Sequence, residues 1–157
     1  MTRAVHHQHS EHGQYIVEAG AADHALTISA SGPDRGTALA AALTGVTAAI
    51  LGHEPPSPVA AAVAVPLRAD GPDFPSLVPA LTASLFDSLE EDPALIGPIR
   101  IDGILRTDDG LTAWGYMLAS STPATKAARF TIGPIDVNDT EGDVTIRLQL
   151  AREPGAS

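Results

Sequence analysis

The chain predicts an α+β fold, a two-layer sandwich of mostly antiparallel sheet with two main helices. Three observations carry that expectation. Two segments repeat their apolar residues at helical spacing, and most of the remainder alternates with a period of two. The order is a strand pair, helix, strand, helix and then three strands, not the regular alternation of a doubly wound parallel sheet. No segment repeats along the chain.

Residues 1–14 are polar and rich in histidine, so they read as a disordered tail. Tyr15 to Glu18 reads as a short strand. Ala25 to Ser31 alternates, with Leu26, Ile28 and Ala30 on one face and Thr27 and Ser29 on the other. Ser31-Gly32-Pro33-Asp34 is a turn. Thr37 is the expected N-cap of the first helix, whose Leu39, Leu43, Val46 and Ile50 share one face. Gly52 suits a left-handed C-terminal cap. Gly45 costs about 1 kcal/mol against Ala inside a helix, and its missing side chain permits close packing on a sheet.

The prolines of His53 to Pro58 exclude both helix and central strand. Ala60 to Leu67 is a strand with Val63, Val65 and Leu67 on one side, and Pro66 places it at a sheet edge. After the turn at Asp70-Gly71-Pro72-Asp73, a second helix runs from about Ser76 to Glu90. Leu77, Leu81, Leu85 and Leu89 recur on one face, with Val78 and Phe86 alongside. Pro79 suits only a first turn and places the helix start just before it. Glu90, Glu91 and Asp92 oppose the macrodipole and belong in solvent. Ile99 to Leu105 and Leu111 to Ala119 form a hairpin through Asp108-Asp109-Gly110. Lys126 to Ile132 is extended. Val144, Ile146, Leu148 and Leu150 alternate in a last strand, and 152–157 is a tail.

At 157 residues the chain suffices for one domain with its own core. Aromatic residues make up 4%, so that core is built from Ala, Leu, Val and Ile. A formal net charge of -10 repels phosphate backbones, which argues against direct nucleic-acid binding and favours a basic partner or a cation. The chain has no cysteine, so disulfides and thiolate metal sites are excluded. No apolar run is long enough for a membrane span, and the N-terminus lacks the apolar centre of a signal peptide. These features read as a soluble, cytoplasmic protein.

Several residues are candidates for chemistry. Asp23 and His24 are adjacent, and on a strand they point to opposite faces, so an exposed acid beside a surface histidine is the plainer reading. His6, His7, His9 and His12 have imidazoles suited to Zn²⁺ or Ni²⁺, but a loose tail does not preorganise a site. Asp136, Asp139, Glu141 and Asp143 resemble a calcium loop in composition only and read as a solvated hairpin turn. Trp114 and Tyr116 share a strand face, which suits packing better than a pocket cap. No serine stands in a nucleophile elbow, and no glycine-rich phosphate loop is present.

Gly20-Ala21-Ala22-Asp23, followed by a strand, a glycine turn and an Ala-rich helix, resembles the opening of the archease family, which reads His-Thr-Ala-Asp. Ala22 and Asp23 match it, and the two preceding residues do not. Lys126-Ala127-Ala128-Arg129-Phe130-Thr131 resembles the family's Lys-Ala-(Val/Ile)-Thr-Tyr-His segment, with Phe130 in place of tyrosine. The resemblance covers roughly 15–151, as an archease-like domain. It implies a non-enzymatic accessory protein that assists an RNA ligase in tRNA splicing or RNA repair. It further implies a divalent metal, Ca²⁺ or Mg²⁺, held by Asp23 and by an acid in the last strand. Lys126 is the residue it suggests for contact with the partner ligase. An ungapped run from Lys126 puts Ala151 where that second acid belongs, so the metal site is incomplete. The alternatives are a protein-binding module that has lost the metal, and a small enzyme built on Asp23, His24 and Lys126.

Overall fold

The computed structural model describes residues 4–9, 13–19, 25–52, 62–92, 95–121 and 130–152. The chain opens with β1 (Ala4–His9), β2 (Gln14–Ala19) and β3 (Ala25–Gly32), then α1 (Arg35–Leu51). β4 (Val63–Gly71) and α2 (Phe74–Glu91) follow. β5 (Leu95–Ile96), β6 (Ile99–Thr107), β7 (Gly110–Ser121), β8 (Phe130–Thr140) and β9 (Asp143–Arg152) complete it. The α+β class with two helices is as expected, and the strands divide into two sheets. One has the order β1-β2-β3-β9-β8; in the other, β7 pairs with β4 on one side and with β5 and β6 on the other. Every strand pair among the described residues is antiparallel.

Both helices begin with the same chemistry. Each preceding strand ends in glycine, and Gly32-Pro33-Asp34 and Gly71-Pro72-Asp73 lead into α1 and α2. Asp34 Oδ1 accepts a hydrogen bond from the Thr37 backbone N–H at 2.7 Å, so the cap is Asp34 rather than the expected Thr37. The aspartate satisfies an orphan N–H of the first turn from an extended backbone. Asp73 repeats this, accepting from the Ser76 backbone N–H at 3.0 Å and the Ser76 hydroxyl at 2.6 Å. The Ser76 hydroxyl, and next its N–H, hold the Asp73 carboxyl below its usual range, with burial opposing them.

α2 starts earlier than the sequence suggests. Pro75 occupies its first turn and Pro79 lies inside the helix, not at its start. The N–H that Pro79 lacks would have met the carbonyl of Pro75, an exposed residue whose carbonyl water can satisfy. Leu77, Leu81, Leu85 and Leu89 are buried as their spacing requires.

α1 packs on β2, β3 and β9 of one sheet, on β6 of the other, and on α2. Ala38, Leu39 and all of 41–49 are buried, so the helix is enclosed well beyond the face of Leu39, Leu43 and Val46. The hydroxyls of Thr44 and Thr47 satisfy themselves on the carbonyls of Ala40 and Thr44. A Cβ at Gly45 would stand 2.7 Å from Ile28 Cγ2, so glycine permits this approach of helix to sheet. Gly52 closes α1 at φ 81, its N–H donating to the Ala48 carbonyl at 2.8 Å.

The expected N-terminal tail is corrected by β1, which pairs with β2 through His6↔Val17, His7↔Ile16, Gln8↔Tyr15 and His9↔Gln14. Ladder hydrogen bonds involve the backbone, so a polar hexapeptide without apolar alternation can still supply an edge strand. β4 is an edge strand among the described residues, as Pro66 indicated, because it pairs there with β7 alone. The hairpin at Asp108-Asp109 is present, and Glu141-Gly142 turns the chain between β8 and β9. Val144, Ile146, Leu148 and Leu150 of β9 are all buried. No helix among the described residues is long and apolar enough to cross a membrane.

Candidate functional site

Asp23, His24, Lys126 and the segment His53 to Pro58 lie outside the described residues. The strands that flank the expected metal centre are described. β3 and β9 run antiparallel with Ala25↔Ala151, Leu26↔Leu150 and Thr27↔Gln149 in register. Ala151 thus stands beside the start of β3, two residues after Asp23 in the chain. From Val144 to Arg152 β9 carries no carboxylate. Gln149 offers an uncharged oxygen at most, whereas a hard divalent cation requires several oxygens, typically anionic. Among the described residues, the β9 stretch opposite the start of β3 thus offers no second acid to a metal shared between two carboxylates. No group of three or more His, Asp or Glu gathers among the described residues.

The other end of the same strands carries a cavity of about 910 Å³. The start of α1, residues 99–104 of β6 and the β8–β9 turn at 139–142 surround it. Arg35, the first residue of α1, reaches across to β8. Its Nε and Nη2 donate to Asp139 Oδ2 at 2.8 and 2.6 Å. The guanidinium also lies 5.1 Å from the centre of the Phe74 ring, the first residue of α2. Partial exposure on both sides limits what the ion pair contributes to stability; its consequence is to fix the groove wall.

β6 forms the facing wall and, among the described residues, pairs only with β7. Its Ile99 N–H points away from β7 and donates to Thr44 Oγ1 at 3.0 Å. The adjacent Pro98 carbonyl accepts from the Leu118 N–H on the β7 side. Asp34, Asp102, Asp139 and Glu141 bring negative charge to the groove, against Arg35 and Arg100. This set can bind charged and hydrogen-bonding groups. In the sequence Asp34 marks only a turn, and Arg35, Arg100 and Asp102 belong to no site motif. The repeated Gly-Pro-Asp before each helix signalled the capping acid, while the partnership of Arg35 with Asp139, 104 positions away, left no local trace.

The expected turn acids are accounted for. Asp136, Asp139, Glu141 and Asp143 are exposed on and around the β8–β9 hairpin, and Asp139 is the one paired with Arg35. Trp114 is 38% exposed, and its ring lies against β6 at Gly103, where a Cβ would fall 2.5 Å from Cζ2. It packs across strands and does not line the groove.

No family model matches the chain, and no characterised protein matches it in sequence. In fold it is similar to Methanobacterium thermoautotrophicum protein 1598, known from a solution structure, with a TM-score of 0.61 at 16% sequence identity. The likeness covers 84% of this chain and 95% of that one, so the two share an architecture nearly end to end.

Proposed function

We propose that this is a non-catalytic accessory protein on an archease-like fold. It acts by binding a protein partner, and the partner class is an RNA ligase of tRNA splicing or RNA repair. The order of elements and the segments around Asp23 and Lys126 support the family reading. The net charge of -10 supports a protein partner over direct contact with RNA.

The observation that carries the metal-free form of this reading is the register of β9. Ala151, opposite Ala25, stands where the resemblance implies the second acid, and no acid lies between Val144 and Arg152 on the strand. On this reading Asp23 alone does not retain Ca²⁺ or Mg²⁺, and Lys126 contributes to the partner contact.

Calorimetric titration of the full chain with Ca²⁺ and Mg²⁺ tests the proposal, with RNA ligase turnover measured in parallel. The expected result is no saturable heat at millimolar metal. Stimulation of the ligase should survive Asp23→Ala and fall with Lys126→Ala. Metal binding that Asp23→Ala abolishes would overturn the metal-free form. A ligase indifferent to the protein would overturn the partner class.

A further inference from the structure

We infer that the groove beside β6 is a docking site for an extended, basic segment of a protein partner, taken up as an added strand. This goes beyond the reading above and does not depend on it. The groove lies at the Gly32 and Val144 end of β3 and β9, where Pro33, Asp34 and Val144 line it. At about 3.3 Å per residue, it stands roughly 23 Å from the Ala25 and Ala151 end.

The argument starts from the backbone of β6. In an antiparallel pair, alternate residues turn their N–H and C=O toward the partner strand and away from it. Pro98 bonds toward β7 and Ile99 away from it, to Thr44. Ile101, two residues on, belongs to the same outward set as Ile99 and lines the cavity. Ile99 has its outward N–H taken by Thr44, so Ile101 is the residue whose edge groups can serve as a template for a further strand. The register shift between Ile101 and Gly103 ends the regular edge at Asp102. The docked segment is therefore short, and side-chain contacts must supply part of its affinity.

The groove selects the chemistry of its occupant. Its volume of about 910 Å³ lies near the upper end of ordinary ligand clefts, on the order of 300–1,000 Å³. Ile101, Ile104 and Val144 give it apolar lining, which suits alternate apolar side chains of an incoming strand. Arg35 is engaged with Asp139, and Asp34 caps α1. Asp102 and Glu141 are exposed at the groove, opposed by Arg100. Within a molecule of net charge -10, this balance favours lysine or arginine at the remaining alternate positions.

The test uses the full, isotope-labelled chain and two capped hexapeptides, alternating Lys-Val and alternating Glu-Val, followed through backbone amide resonances. The lysine peptide should produce saturable shifts at 99–103 and 139–142, and the glutamate peptide should bind roughly tenfold more weakly or worse. Ile101→Pro removes one edge N–H that does not serve the ladder and should abolish the response. Asp102→Lys combined with Glu141→Lys changes exposed positions only. It should reverse the peptide preference, and it keeps the test decisive if the proline variant does not fold. No saturable shift, an equal response to both peptides, or a preference unchanged by the charge reversal would each overturn the proposal. Concentration-dependent shifts at the same amides without peptide would assign the groove to a second copy of the chain and overturn it as well.

Discussion

Asp34 and Thr37 illustrate how much turns on one hydrogen bond. Both are acceptable capping residues, and only three positions separate them. The choice falls to Asp34 because Pro33 precedes it in a turn and the helical backbone already includes Arg35 and Gly36. Thr37 supplies the N–H that the cap receives. Asp34→Ala should cost about 1 kcal/mol, within the usual range for a lost N-cap, measured as a shift of the urea midpoint. Thr37→Ala keeps that N–H and should cost less; the reverse order would show that the cap is misassigned. Asp34 also borders the groove, so capping an exposed helix end and lining a binding surface fall to one residue.

α1 shows what an element can conceal from sequence. Its leucines and valine mark one face, but the remaining positions are mostly Ala, Thr and Gly, small enough to be buried wherever a neighbour arrives. Periodicity separates apolar from polar faces, and this helix has no strongly polar face along its centre. Contact with β6 and α2 on the far side decided the burial of 41–49. Gly45→Val is the corresponding test. The added side chain would drive into Ile28 and Tyr15, and overpacking of about 1–3 kcal/mol outweighs the smaller gain in helix propensity. We expect a loss of about 2 kcal/mol in chemical denaturation, with the helix content by circular dichroism unchanged. Pro79 makes a related point for α2: an interior proline is tolerated when the carbonyl it orphans faces water.

At the scale of the whole molecule, β1 closes the first sheet beyond β2. Without it, β2 becomes the edge, with buried Tyr15 and Val17 on its core face. Deletion of residues 1–12 should lower stability by roughly 2 kcal/mol, given a modest net gain per ladder hydrogen bond. It should also reduce the denaturant m-value, because less surface is exposed on unfolding. An unchanged unfolding free energy, the product of midpoint and m-value, would show that β1 adds no stability. The far edges matter differently. β6 and the β8–β9 turn meet around the start of α1, so one groove depends on both sheets and a helix terminus together.

Elements whose apolar pattern or turn chemistry is local are readable from the amino-acid order. These are β3, β9, the leucine face of α2, the Asp108-Asp109 hairpin and the Gly52 cap. Each is specified by residues within a few positions of one another, where propensity and side-chain period suffice. That no carboxylate lies between Val144 and Arg152 was legible for the same reason, and the pairing of Ala151 with Ala25 followed once strand register was known. The strand at Ala4–His9, the burial around α1 and the groove itself emerge in three dimensions alone. Those features arise from backbone pairing and from contacts between distant segments, such as Arg35 with Asp139 and Thr44 with Ile99. Side-chain periodicity does not encode which segment will arrive to cover a face, and so the sequence alone leaves them unwritten.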